Sequence, residues 1–150
     1  MSFKLHEINA NEELVSLAIP LDAIKPLAID LKNDLCLIEI KNHGLIPVVI
    51  SDKKILKLRD KIFTVGAPAS VFPIEAEGNV SLPSITFSDD DGERVMASMP
   101  AFGGSSGSPV FDEKGEVVGL ITEANQHYQK IAFFTSAKFI QTFLKGNLNK

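Results

Sequence analysis

The 150-residue chain holds one cysteine, Cys36, so no disulfide can form within it. Cys36 lies in the apolar run Leu35-Cys36-Leu37-Ile38, with no second cysteine and no Cys-x-x-Cys motif. It therefore reads as a small buried hydrophobe rather than a redox or catalytic group. No stretch gathers lysine and arginine on one face, and the formal net charge is -4. Phosphate binding depends on clustered cations, which argues against nucleic acid as the main partner. No apolar run approaches the length that crosses a bilayer, so no membrane partner is expected. The start, Met1-Ser2-Phe3-Lys4-Leu5-His6-Glu7, lacks the basic and apolar segments of a secretory leader. As written, the chain reads as cytoplasmic, and as secreted or periplasmic if the natural start lies upstream. Histidine is scarce too: His6, His43 and His127 are the three present.

What is there suggests an ordinary globular domain, or two small subdomains sharing an interface, with 45% hydrophobic and 23% charged residues. Short apolar runs broken by Gly, Pro, Asn and Asp predict a mostly β chain. The strands are expected at 14–19, 24–29, 34–40, 61–66, 73–80, 94–99, 108–111, 116–122 and 131–135. Asp89-Asp90-Asp91-Gly92 and Asp112-Glu113-Lys114-Gly115 read as turns. The consecutive carboxylates of the first lack the alternation of a calcium loop, which favours a solvated hairpin tip. One helix is expected at the end of the chain. Ser136 would cap it, Phe139, Ile140, Phe143 and Leu144 would form its apolar stripe, and Gly146 would stop it. The stretch 40–60, with Pro47 and scattered charges, is the candidate connection between two halves.

The segment Phe102-Gly103-Gly104-Ser105-Ser106-Gly107-Ser108-Pro109-Val110-Phe111 is the informative one. A flexible linker is disfavoured, because the segment is short and strand-like sequence flanks it. A phosphate loop is disfavoured, because no Lys-Ser/Thr follows the glycines. A serine that attacks a carbonyl needs a tight turn around it and backbone N–H groups aimed at the developing oxyanion. Glycines on both sides allow that curvature and a close substrate approach. This reading makes Ser106 the nucleophile and the N–H groups of Gly104 and Ser106 the oxyanion hole. An esterase of different fold would want Gly-x-Ser-x-Gly at a strand-to-helix elbow, and Gly104-Ser105-Ser106-Gly107-Ser108 fails that spacing.

Gly104-Ser105-Ser106-Gly107-Ser108-Pro109 resembles the Gly-Asp/Asn-Ser-Gly-Gly/Ser-Pro signature of trypsin-like serine proteases. Its nearest flavour is the bacterial glutamyl-endopeptidase and HtrA/Deg branches, where the following strand is similar to Gly115-Glu116-Val117-Val118-Gly119-Leu120. Asn33-Asp34-Leu35-Cys36-Leu37-Ile38 resembles the segment that supplies the catalytic aspartate. Phe63-Thr64-Val65-Gly66-Ala67-Pro68 resembles the strand that opens the second barrel. The resemblance implies an all-β, chymotrypsin-like double β-barrel with an incomplete first barrel and a C-terminal helix. It would be one peptidase domain, 1–150, with a partial first barrel over 1–50, a second barrel over 51–136 and the helix over 137–146.

In this family Asp34 would fix the tautomer of a histidine general base. A strand-initiating turn residue is the plain alternative for Asp34. The family's histidine precedes its aspartate, which leaves His6, although Lys4-Leu5-His6-Glu7-Ile8 departs from the usual context. A terminal histidine that frays with the first residues is the alternative for His6. By position, Met99, Pro100, Ile121, Thr122, Glu123 and Phe133 would line the substrate cleft, and His127 would border it. Their mostly apolar character favours an apolar side chain before the scissile bond. Ser105 cannot make the ion pair of a zymogen-activated relative. No cofactor and no metal are implied. The function so implied is a serine endopeptidase hydrolysing peptide or protein substrates through an acyl-enzyme on Ser106. The alternative is a catalytically inactive protease-like domain used for binding or assembly. An incomplete first barrel exposes strand edges, which a homo-oligomer could cover by completing the sheet.

Overall fold

Alternating apolar residues between turn-forming clusters build ten strands and one α-helix among the described residues. The structure, a computed structural model, describes residues 2–8, 14–41, 44, 46–52, 55–68, 73–124 and 130–148, with side chains from residue 19 onward except Ala124. The chain divides into two compact units, Met1–Ile29 with Cys36–Ile46, and Asp30–Leu35 with Pro47–Lys150.

The first unit holds two short sheets. Strand β1 (Ser2–Ile8) pairs antiparallel with β2 (Leu14–Pro20) along its whole length, from Ser2 opposite Pro20 to Ile8 opposite Leu14. Strands β3 (Ile24–Asp30) and β4 (Leu35–Ile40) form a separate two-stranded sheet. The described strands of this unit do not close into a barrel, and Leu27, Ile29 and Ile38 stay exposed. No strand was expected over Ser2–Ile8. Pairing with β2 satisfies its backbone and holds a segment that reads, taken alone, as a fraying end. Cys36, expected to be buried, is exposed. Strand alternation turns Leu35 inward at 5% exposure, and the next residue must face the other way.

The second unit is a closed, wholly antiparallel barrel. Its strands are β5 (Lys61–Gly66), β6 (Ile74–Ile85), β7 (Arg94–Ser98), β8 (Pro109–Asp112), β9 (Val117–Ala124) and β10 (Ile131–Ser136). Their order round the barrel is β10-β7-β6-β5-β8-β9, with β9 and β10 completing the circuit. Inward positions from every strand build one core around Val80, Val95, Met99, Val110, Ile121 and Phe134. Gly119 is required where β9 passes Phe134, because a Cβ there would collide with the ring and with the Thr135 carbonyl. The Asp112–Gly115 turn forms as expected. The carboxylate of Asp112 accepts the N–H groups of Lys114 (2.9 Å) and Glu116 (3.1 Å), and Gly115 takes φ 75°.

The stretch leading into the barrel is tied to β9. Val117 N–H donates to the Val49 carbonyl and Ser51 N–H to the Val117 carbonyl, both at 2.8 Å. Helix α1 (Ala137–Leu148) buries Ala137 and Ile140, and Gln141 Nε2 donates to the Ser51 carbonyl at 2.9 Å. Gly146 does not stop it. Asn147 Nδ2 donates to the Phe143 carbonyl at 2.8 Å, satisfying a last-turn acceptor and letting the helix run on to Leu148.

Phe134 has no exposed surface, and its ring fills the barrel against Gly119. Phe134→Ala is expected to cost about 3–5 kcal/mol in urea unfolding. Leu31→Ala, at a residue 89% exposed, should change stability by less than about 0.5 kcal/mol.

Candidate active site

The glycine-rich segment folds as two successive tight turns. Ser105 N–H donates to the Phe102 carbonyl at 2.9 Å, and Gly104 occupies the third position with φ 96°. Ser108 N–H donates to the Ser105 carbonyl at 3.0 Å, and Gly107 occupies the third position with φ 85°. A positive φ at the third position alone defines the type II turn, which is why glycine recurs at 104 and 107. Ser106 is the second residue of the second turn, lifted into solvent between the two glycines.

Two anchors hold these turns to the barrel. Gly107 N–H donates to the Ile121 carbonyl at 2.7 Å, and Ile121 N–H donates to the Ser108 carbonyl at 2.9 Å, extending the β8–β9 ladder into the loop. From the other side, Thr64 Oγ1 donates to the Pro109 carbonyl at 2.7 Å. Ser105 is buried, and its Oγ accepts the Phe102 N–H at 3.1 Å, closing the first turn on itself. Among the described residues, the N–H groups of Gly104 and Ser106 meet no protein acceptor, and both residues are exposed.

The Ser106 hydroxyl donates to the Thr122 carbonyl at 3.0 Å. Thr122 is the extra residue of a bulge. Phe133 pairs with Glu123 and Phe134 with Ile121, so the ladder register skips Thr122. A bulge re-aims the backbone it interrupts, and here a β9 carbonyl faces the serine.

The remaining expected site residues are spread over different environments. Asp34 lies in the turn before β4, not in the strand, with φ 54° and an exposed side chain. Aspartate tolerates this left-handed conformation better than most residues. Its turn belongs to the barrel unit. Lys32 carbonyl accepts the Gly92 N–H at 2.8 Å, and Asn33 carbonyl accepts the Thr135 hydroxyl at 2.6 Å. Within the turn, the Asp30 carboxylate accepts both the backbone N–H (3.1 Å) and the side-chain amide (2.7 Å) of Asn33. His6 sits on β1 opposite Ser16, in the other unit, and its side chain is outside what is described. His43 and His127 lie outside the described residues.

Met99 and Ile121, expected to line a substrate cleft, are core residues with 0% and 2% exposure. Both side chains pack into the barrel core with Val80, Val110 and Phe134, since closure of the barrel turns these positions inward and away from any cleft. Thr122 is also buried, and its hydroxyl donates to the Phe133 carbonyl at 3.3 Å. Glu123 is exposed, and Phe133 packs edge-on to Phe87 with ring centroids 5.0 Å apart. A cleft of about 310 Å³ does border the loop. Its lining includes Thr64, Pro68, Ile74, Pro100, Phe102 and Ser105, and among the described residues Pro100 is the one member of the expected set in it.

Residues 10–120 match the family described as the trypsin-like peptidase domain. The chain belongs to that family. The match contains Asp34, Gly104 and Ser106, while His6 precedes it. Comparison with curated proteins found no match. Among solved structures, the Rv3671c protease from M. tuberculosis in its active form is 15% identical, with TM-score 0.75 over 88% of this chain and 61% of that one. Deg5 is 22% identical, with TM-score 0.69 over 95% of this chain and 65% of that one. The HtrA-type protease AlgW, solved with a decapeptide, is 15% identical, with TM-score 0.74 over 95% of this chain and 43% of that one. The trypsin-like domain thus spans less than two thirds of each of these chains. At these identities the likeness carries the fold, which is chymotrypsin-like with a closed second barrel, a partial first sheet region and one terminal helix.

Asp30 has its carboxyl held below the ordinary value, chiefly by the Asn33 side-chain amide, with further help from backbone N–H groups and the Arg94 charge. A lowered folded value means the turn is stabilised at neutral pH. That contribution fades as pH falls from the ordinary aspartate range through the folded value. An NMR titration of the Asp30 carboxyl carbon should find a midpoint below that of free aspartate, and Asn33→Ala should move it upward.

Proposed function

We propose that this trypsin-like domain is a serine endopeptidase acting on peptide or protein substrates through an acyl-enzyme on Ser106. The observation that carries the reading is exposed Ser106, held in the second of two successive type II turns, with the N–H groups of Gly104 and Ser106 free of protein acceptors among the described residues. In this mechanism Ser106 Oγ attacks the scissile carbonyl as His6 takes its proton. The carbonyl oxygen becomes an oxyanion facing the Gly104 and Ser106 N–H groups. The histidine then returns the proton to the leaving amine, and water repeats the cycle on the acyl-enzyme. Asp34 orients the imidazole and balances its charge. Gly104 matters twice. A side chain would disfavour its φ of 96°, and reversion to a type I turn would rotate the 103–104 peptide and its N–H.

A catalytically silent domain used for binding or assembly is the second reading, favoured by two observations. The Ser106 proton is donated to the Thr122 carbonyl, so the hydroxyl must rotate to reach a base. His6 also precedes the residues that match the family.

A fluorophosphonate probe separates the two readings. The active reading expects the chain to label, Ser106→Ala to lose labelling completely, and His6→Ala to label slower by about 10³-fold or more. Gly104→Val should slow labelling by about 10²-fold through loss of one oxyanion donor. A chain that does not label sinks the endopeptidase reading and leaves the binding domain. Labelling that survives His6→Ala unchanged removes His6 from the mechanism.

A further inference from the structure

Arg94 opens a strand whose next three residues, Val95-Met96-Ala97, are apolar, and only 5% of the arginine is exposed. Its guanidinium carries five N–H donors, yet its bonds here are few and long. Nη2 donates to the Lys32 carbonyl at 3.3 Å and Nη1 to the Glu93 carbonyl at 3.4 Å. Nε is buried and meets no acceptor among the described residues. Burying a charge with so little satisfaction is unfavourable, and an apolar side chain would fill the same space at lower cost. Two long bonds and the attraction of the Asp30 carboxylate are a small return for that burial, so stability gives little reason for an arginine at this position.

Its contacts supply one. The Lys32 carbonyl that Arg94 holds also accepts the Gly92 N–H, and Gly92 approaches so closely that a Cβ would meet Asn33 Oδ1, the Lys32 carbonyl and Arg94 Nη1. Thr135 grips the next carbonyl, that of Asn33. Asp30, at the near end of the turn, lies within the field of the guanidinium. Arg94, Gly92 and Thr135 thus form a clamp on residues 30–34, a segment that belongs to the barrel unit although all but the nearest residue of each flanking strand belongs to the other. Asp34 is the residue immediately after the clamped carbonyls.

We propose that Arg94 is a positioning residue for the acyl-transfer centre, docking the 30–34 turn on the barrel and thereby fixing the backbone that carries Asp34. This rests on the assignment of Ser106 and Asp34 above. It predicts an uncommon separation of effects, in which replacing a buried charge by an apolar group spares the fold and impairs the chemistry.

The test compares Arg94→Met and Arg94→Lys with the parent in the full chain, by urea unfolding, amide exchange at Gly92 and the pH profile of fluorophosphonate labelling. Arg94→Met should unfold at the parental urea concentration or above it, because methionine fills the site without a charge. Its Gly92 amide should exchange faster. Its limiting labelling rate should fall by about 10²-fold with the half-saturating probe concentration unchanged, as for a misplaced catalytic group. The pH limb assigned to the base should also move. Arg94→Lys, which keeps one donor for the Lys32 carbonyl, should lie between parent and methionine in both exchange and rate. Gly92 protection equal to the parent's in Arg94→Met would overturn the clamp. Lost protection with an unaltered rate and pH profile would overturn its catalytic meaning. If Arg94→Met does not fold, the same criteria apply to Arg94→Lys. A parent that does not label overturns the Ser106 reading instead, and Gly92 exchange still decides whether Arg94 docks the turn.

Discussion

Closure of the six-stranded barrel is the constraint on which the rest of this domain depends. With β9 returning to β10, every strand of the circuit has a hydrogen-bonded neighbour on both sides. The interior is then filled by one apolar cluster, packed so closely that Gly119 passes the Phe134 ring with no room for a Cβ. A wall so determined can hold irregular segments at its rim. The loop from Phe102 to Ser108 needs two left-handed glycines and has little apolar burial of its own, so it keeps its shape through the ladder bonds to Ile121 and the Thr64 bond to Pro109. The bulge at Thr122 lies on the same strand, immediately beyond that anchor.

The same barrel also captures a piece of chain that sequence order would assign elsewhere. Strands β3 and β4 belong to a unit whose described strands form only two-stranded sheets, yet the turn between them belongs to the barrel. The capture is polar. Two carbonyls of the turn are gripped by a backbone N–H, a guanidinium and a threonine hydroxyl. Hydrogen bonds fix direction and register where apolar contact would allow sliding, so a turn held in this way can present a neighbouring carboxylate reproducibly. The turn lies within residues 10–120, the stretch that matches the trypsin-like peptidase family.

Much of this was legible in the residues. Glycine at 104 and 107 around Ser106 announced a tight turn because only glycine takes the third position of a type II turn without strain. The Asp112–Gly115 turn was legible for a similar reason, since aspartate caps its own backbone locally. Other features depended on partners distant in sequence. Cys36 and Leu35 are both apolar neighbours in one run, and only the direction of the core decides which is buried. Ser2–Ile8 became a strand because β2 lies beside it. Gly146 stayed helical because Asn147 caps the turn around it. Met99 and Ile121 were assigned to a cleft by their order along the chain, but barrel curvature turned them into the core. The arginine at the head of β7 gave a signal, a charge opening an apolar strand, whose meaning required the turn from 30 to 34 to be seen against it.

The residues by themselves therefore determined the local chemistry of this protein: which turns are tight, which serine stands between glycines, which runs alternate as strands, and which family they resemble. Those properties follow from φ preferences and side-chain periodicity within a few residues. The tertiary structure alone decided which faces became interior, which unit holds the Asp34 turn, and which carbonyl receives the Ser106 hydroxyl. Each of those depends on groups brought together by barrel closure, and no local preference encodes which distant groups will meet.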